Sequence, residues 1–157
     1  MQVSDRIYKT PLADTSYRIA VVTALFNEKI TEALAKGARE ELIKLGCEPQ
    51  KIITLTVPGA WELPFAIKAL FQNERADAAI ACGCVIRGDT GHYDIVANES
   101  ARGLMQVALE TVRPVMNSVL TVENLKQAKA RAKADDTNKG REAARALVEL
   151  INNLSTV

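Results

Sequence analysis

Residues 82 to 94, CGCVIRGDTGHYD, hold the single histidine of a 157-residue chain. His92 lies between Gly91 and Tyr93, just past Arg87, Gly88, Asp89 and Thr90. An imidazole gives and takes protons near neutral pH, so one set beside a glycine- and hydroxyl-rich turn is a candidate acid/base. Gly88 and Gly91 allow backbone conformations that other residues resist and let a ligand approach the main chain, while Thr90 adds a hydroxyl. The next helix starts here, and its first amides and dipole favour an anion. The stretch reads either as a phosphate cradle with a proton-transfer group beside it or as an ordinary solvated loop.

Two further stretches carry chemistry of the right kind. In VPGAWELP (57–64), a carboxylate and exposed amides suit the hydroxyls of a polyol, and a neighbouring aromatic suits a flat ring. The alternative is that Trp61 is a core residue and Glu62 a first-turn acid favoured by the helix dipole. Phe26 carries the same pair of readings, core or stacking platform. In RAKADDTNKG (131–140), Arg131 and Lys139 are solvated, or they reach an anion from another strand end or a neighbouring subunit. The three cysteines, Cys47, Cys82 and Cys84, are odd in number and accompany one histidine, so no zinc pattern exists. They read as small buried hydrophobes, and no metal ligand is assigned.

The elements that must position these residues alternate. YRIAVVTALF (17–26), KIITLTV (51–57), DAAIACGCVI (77–86) and PVMNSVLTV (114–122) are short apolar runs rich in β-branched residues, hence strands. Helices fit between them: 27–46, with Asn27 as N-cap and Gly46 as C-cap, then 62–72 and 93–112. Two closing helices are split near DDTN (135–138). Continuous apolar strands between helices predict a parallel sheet covered on both faces, a three-layer flavodoxin-like α/β sandwich with strand order 2-1-3-4. Ligands of such sheets bind outside the carboxyl ends of the strands. Those ends are 25–27, 58–62, 85–92 and, on the fourth strand, Asn117-Ser118, where every unusual stretch falls. A signalling receiver on this scaffold would need an acidic cluster after strand one, and ALFNE offers only Glu28.

Composition narrows the partners. The chain length suits one domain, residues 17–157, behind an N-terminal arm, residues 1–16. Apolar residues make up 48% and charged residues 25%, and the net charge is +1. With no long-range field, neither nucleic acid nor an anionic membrane is a favoured partner. No stretch reaches the roughly 18 apolar residues of a membrane span, and the polar start lacks a signal-peptide core, which predicts a cytoplasmic protein.

In register, FNE (26–28), VPGAWELP (57–64), GCVIRGDTGHYD (83–94) with VANES (96–100), VLTVEN (119–124) and NKG (138–140) resemble the lumazine synthase family of riboflavin biosynthesis. The resemblance runs from about residue 17 to 153. It implies an enzyme without metal or organic cofactor. The expected reaction condenses 5-amino-6-(ribitylamino)uracil with 3,4-dihydroxy-2-butanone 4-phosphate, giving 6,7-dimethyl-8-ribityllumazine, phosphate and water. A non-catalytic flavin- or lumazine-binding protein on this scaffold is the alternative, and the archaeal type of riboflavin synthase is a third reading.

Position by position, the resemblance makes His92 the catalytic histidine. It places the butanone phosphate on Gly88, Asp89 and Thr90, with Arg131 closing from an adjacent subunit and Lys139 and Glu142 nearby. Phe26 corresponds to the aromatic that stacks on the heterocycle. Gly59, Ala60, Trp61 and Glu62 correspond to the ribityl-binding stretch, Cys84, Val85 and Ile86 to the strand end that reads the pyrimidine, and Asn98 and Glu99 to a helix motif near the site. Asn117 replaces a phenylalanine that closes the site from the neighbouring subunit, and Leu25 replaces an arginine. The resemblance further implies a homo-oligomer with sites between subunits, built from rings of five that stand free or assemble into a sixty-subunit shell, and a functional association with riboflavin synthase. The turn KADDTNKG lacks glycine before NKG and sets Asp135 beside Asp136, which favours a free ring; Pro11 limits strand pairing by the arm.

Overall fold

The computed structural model describes residues 10–157; the first nine residues of the expected arm lie outside that range. The elements run β1 (Ile19–Ala24), α1 (Glu28–Lys44), β2 (Ile52–Val57), α2 (Leu63–Gln72), β3 (Ala78–Ile86), α3 (His92–Thr111), β4 (Val115–Val122), α4 (Leu125–Arg131) and α5 (Lys139–Leu154). Short 3-10 turns at Pro49–Lys51 and Ala60–Glu62 precede β2 and α2.

All strand pairs are parallel and the order is β2-β1-β3-β4, the expected topology. Because successive side chains point to opposite faces, β1 and β3 divide their residues between two cores. Ile19, Val21, Ile80, Cys82 and Cys84 pack with α1 and α5, through Leu34, Leu42 and Leu147. Ala20, Val22, Ala79 and Ala81 pack with α2 and α3, through Leu63, Ile67 and Leu104. The central strands are buried on both faces for this reason. β2 departs from the expectation: Thr54, Leu55 and Thr56 are exposed. It has one strand neighbour, and α1 and α2 lie over β1 and β3 instead.

The end of α1 follows its glycine. Gly46 stands at φ 97°, its amide donates to the Ile43 carbonyl and the Cys47 amide to the Leu42 carbonyl. That pair of bonds is a Schellman close, which a left-handed residue after the helix permits. The cysteines are free and buried as expected, and burial pushes the Cys82 thiol up to about 12 and the Cys84 thiol up to about 11.

The α1–α5 contact is the most extensive helix pairing. Asn138, 1% exposed, caps α5: its Oδ1 accepts from the Gly140 and Arg141 amides, and its Nδ2 donates to the Ala33 and Lys133 carbonyls. Behind it Arg145 donates to Glu41 Oε1 (3.0 Å) and to Asp136 Oδ1 (3.0 Å). Asp136 is thus an ion-pair partner, and Asp135 Oδ1 accepts from Thr137 (2.5 and 2.8 Å). The two carboxylates of this turn are thus answered differently, Asp136 by an arginine and Asp135 by a threonine.

At the opposite end of the sheet Arg18, just before β1, forks onto Asp77, just before β3 (Nε to Oδ2 3.0 Å, Nη2 to Oδ1 2.9 Å). The guanidinium bond holds the Asp77 carboxyl below its usual range against the opposing effect of burial. A carboxyl lowered by folding contributes stability that is whole above its unfolded value and lost as pH falls through the lowered one. Asp77→Asn is expected to cost about 1 kcal/mol or less at pH about 6, since both side chains are a third exposed, and to shrink that difference below pH about 4. Urea midpoints of both proteins across that range check it; a difference independent of pH would assign the cost to packing.

Candidate functional site

Outside the carboxyl ends of β1, β2 and β3 lies a cleft of about 440 Å³. Its far wall is the last turn of β3: Cys84, Val85 and Ile86. Phe26 and Asn27 come from the end of β1, and Gly59, Ala60 and Trp61 from the turn after β2. Gly88, Thr90, His92, Tyr93 and Val96 complete it from the loop after β3 and the start of α3.

Phe26 is 75% and Trp61 55% exposed, so neither is a core residue. Two large aromatics left uncovered beside an apolar strand end are suited to a flat heterocycle. Asn27 stands in the left-handed region, φ 60°, and its side chain does not cap α1 as expected. Its Nδ2 instead donates to the Cys84 carbonyl (2.9 Å), which ties the end of β1 to the end of β3. The Leu25 and Phe26 amides donate to the carbonyls of Val57 and Pro58, so the backbone of Phe26 is tied to the turn after β2 while its ring stays uncovered. Cys84 is 4% exposed, and burial raises its thiol, so it contributes apolar surface to the cleft.

The loop 88–91 supplies the anion chemistry. Among the described residues the amides of Gly88, Asp89 and Thr90 donate to no carbonyl or side chain, and α3, twenty residues long, begins behind them. Neither Gly88 nor Gly91 uses the left-handed region; Gly91 sits at φ −70°. A Cβ at either would meet nothing within 4 Å, so these glycines leave backbone open to the cleft and do not relieve a turn. That corrects the conformational half of the sequence argument and keeps the other half. His92 opens α3; its amide donates to Thr90 Oγ1 (3.3 Å) and its ring is exposed.

Several expected residues lie elsewhere. Glu62 does not line the cleft: its Oε2 accepts the Gly59 amide (2.9 Å) and shapes the turn that presents Trp61. Asp89 is in the loop but off the lining. Asn117 is not at a strand end. It is the third residue of β4, accepts the Val119 amide, and lines a separate hollow of about 230 Å³ with Tyr93, Asn98 and Thr121. Ser118 points to the other face and is buried. Glu99 pairs with Arg102 on α3. Arg131 ends α4, donating to the Gln127 carbonyl of its own helix, and Lys139 pairs with Glu142 (2.8 Å). None of these three lines the cleft.

Sequence reasoning singles out neither Tyr93 nor Val96 as a lining residue, and gives Asn27 only as part of the first strand end. For Val96 the signal existed: a helix beginning at His92 puts residue 96 on the same face one turn later. The lining holds no aspartate, glutamate, lysine or arginine, so a bound phosphate finds only amides and the helix terminus there.

A family model for 6,7-dimethyl-8-ribityllumazine synthase matches residues 16–155. Curated relatives of that name agree. One from Paracidovorax citrulli is 52% identical over 136 residues, 87% of this chain and 86% of the relative. One from Albidiferax ferrireducens is 48% identical over 140 residues, 89% of this chain and 87% of the relative. One from Xanthomonas euvesicatoria pv. vesicatoria is 46% identical over 145 residues, 92% and 94%.

Proposed function

The chain belongs to the 6,7-dimethyl-8-ribityllumazine synthase family, and on that premise we propose how its cleft does the chemistry. The protein condenses 5-amino-6-(ribitylamino)uracil with 3,4-dihydroxy-2-butanone 4-phosphate in riboflavin biosynthesis. The observation that carries our assignment of the site is the adjacency, in one cleft, of two uncovered aromatics and a loop of unused amides ending at His92.

The pyrimidine stacks on Phe26, and the Val85–Ile86 backbone reads its edge. The ribityl hydroxyls meet the amides of Ala60 and Trp61, in the turn that Glu62 shapes by holding the Gly59 amide. The butanone phosphate rests on the amides of 88–90. The uracil amine attacks the ketone carbon; the carbonyl oxygen leaves as water and an imine forms. Phosphate then departs with its C–O electron pair, and ring closure with loss of water completes the lumazine. His92 stands where protons must be taken from nitrogen and carbon and given to oxygen. Phosphate is a good leaving group, so holding two substrates together supplies much of the rate.

Mixing both substrates with the protein tests the reading: lumazine fluorescence should appear with turnover. Trp61 is the only tryptophan, so its emission reports occupation of the ribityl side of the cleft. Quenching of Trp61 without turnover would mean a binding protein instead.

A phosphate dianion held without a cation is poorly answered, and the available cations, Arg131 and Lys139, sit away from the cleft. This supports the reading that a neighbouring subunit supplies them. Arg131→Ala is expected to raise KM for the butanone phosphate about 10- to 100-fold, a charge-assisted contact's worth, and to leave KM for the uracil within about twofold. Equal changes in both would remove Arg131 from the phosphate. The assembly we favour is a free ring of five, because the turn before NKG, residues 133–137, lacks glycine and keeps Asp135 exposed. Sedimentation should give five times the 17.1-kDa chain, and a mass of sixty chains would overturn the preference. The lumazine formed passes to riboflavin synthase, the expected functional partner.

A further inference from the structure

Arg87 is the first residue past β3 and does not line the cleft. Its amide donates to the Val122 carbonyl (2.9 Å), so its backbone still rides on the sheet beside β4. Its side chain reaches three groups. Nε donates to Glu123 Oε2 (2.8 Å), just past β4. Nη2 donates to Asp94 Oδ1 (3.5 Å), in the first turn of α3. The guanidinium carbon lies 4.2 Å from the centroid of the Tyr93 ring, which is part of the cleft wall.

We propose that Arg87 is a positioning residue that clasps the neck of the 88–91 loop, joining the ends of β3 and β4 to the first turn of α3. Resting on the reaction assigned above, the clasp holds the phosphate amides and His92 in one frame. The loop cannot do this itself, because its amides at 88–90 bond to no described residue. The charge pattern argues the same way. Two carboxylates face this guanidinium, so its charge is answered before any phosphate arrives. The task also calls for arginine: a planar fork meets two carboxylates and a ring face at once, and an ammonium meets one partner.

Each of these contacts is half exposed, and exposed ion pairs add little to global stability. The clasp therefore governs local opening of the loop while the global unfolding midpoint stays almost fixed. Arg87→Lys and Glu123→Gln test it, with kinetics, unfolding midpoints and hydrogen exchange of the 87–94 segment. Both variants should lower kcat about tenfold and raise KM for the butanone phosphate, as expected for a displaced reacting frame. KM for the uracil should hold, exchange of 87–94 should quicken, and the double variant should be no worse than Arg87→Lys alone. If Arg87 touched the phosphate directly, Glu123→Gln would free it and KM for the butanone phosphate would fall; that outcome overturns the clasp. Unchanged kinetics with unchanged exchange overturns it too. If the unaltered protein makes no lumazine, the reaction assignment fails separately, and exchange alone then judges the clasp.

Discussion

His92→Ala is expected to lower kcat about a hundredfold while a ribityl-uracil analogue still quenches Trp61 with nearly unchanged affinity. General acid/base groups contribute roughly 10²–10⁴-fold, and a reaction whose leaving group is already good belongs at the low end. The split between kcat and binding follows from position. His92 is at the α3 end of the cleft, joined to the phosphate loop through Thr90 Oγ1, whereas Trp61 belongs to the turn after β2. Truncating the ring leaves the amides of 88–90 in place, because the bond to Thr90 comes from the His92 backbone. The folded state should hardly change, since the ring is exposed. An alanine variant with wild-type kcat would take His92 out of the mechanism and leave proximity to do the work.

What was readable in the chain tracks how local the cause is. β1 and β3 announce themselves because both faces are buried, and the run of apolar residues needs no partner to be recognised. Gly46 is readable for a similar reason: the helix close needs only the residues beside it. The failures involve side chains whose partners the residue types alone do not reveal. Asn27 has the composition of an N-cap, and the competitor for its side chain is the Cys84 carbonyl, 57 residues later. Asp136 looks like half of a repelling pair until Arg145, on the next helix, is brought back against it. Glu62 looks like a ligand for hydroxyls, yet the Gly59 amide three residues earlier takes its carboxylate. Asn117 and Ser118 form a polar break halfway along the apolar run of strand four, and pairing with β3 carries β4 through it to Val122. The cleft itself was largely legible, since strand ends of a parallel sheet converge whatever the loops contain. Which side chains face into it was not, because that depends on bonds made across the convergence.

NKG carries the same lesson into stability. Gly140→Ala is expected to destabilise the protein by more than about 3 kcal/mol, lowering the melting midpoint by roughly 10 °C at fixed protein concentration. Helix propensity predicts the opposite sign, because alanine in place of an ordinary helical glycine gains about 1 kcal/mol. Packing decides. A Cβ at residue 140 would lie 1.9 Å from the Leu34 carbonyl oxygen and 2.7 Å from its carbon, and both are backbone atoms of α1. No rotamer can relieve that contact, so α5 must move away from α1. The movement would pull on the Asn138 bonds to Ala33 and on the Arg145–Glu41 pair, both of which span the same two helices. Glu41 is 2% exposed, and a buried carboxylate that loses its guanidinium is strongly unfavourable. Gly37→Ala is the graded comparison: its Cβ would meet the Asn138 side chain at 2.5 Å, which can shift at the cost of the cap, so a loss of about 1–2 kcal/mol is expected. Gly88→Ala is the open case, with no atom within 4 Å, and should leave the unfolding midpoint unmoved. If Gly140→Ala unfolded within about 1 kcal/mol of the unaltered protein, α5 would have to be able to slide on α1, and the close approach would not be what selects glycine there.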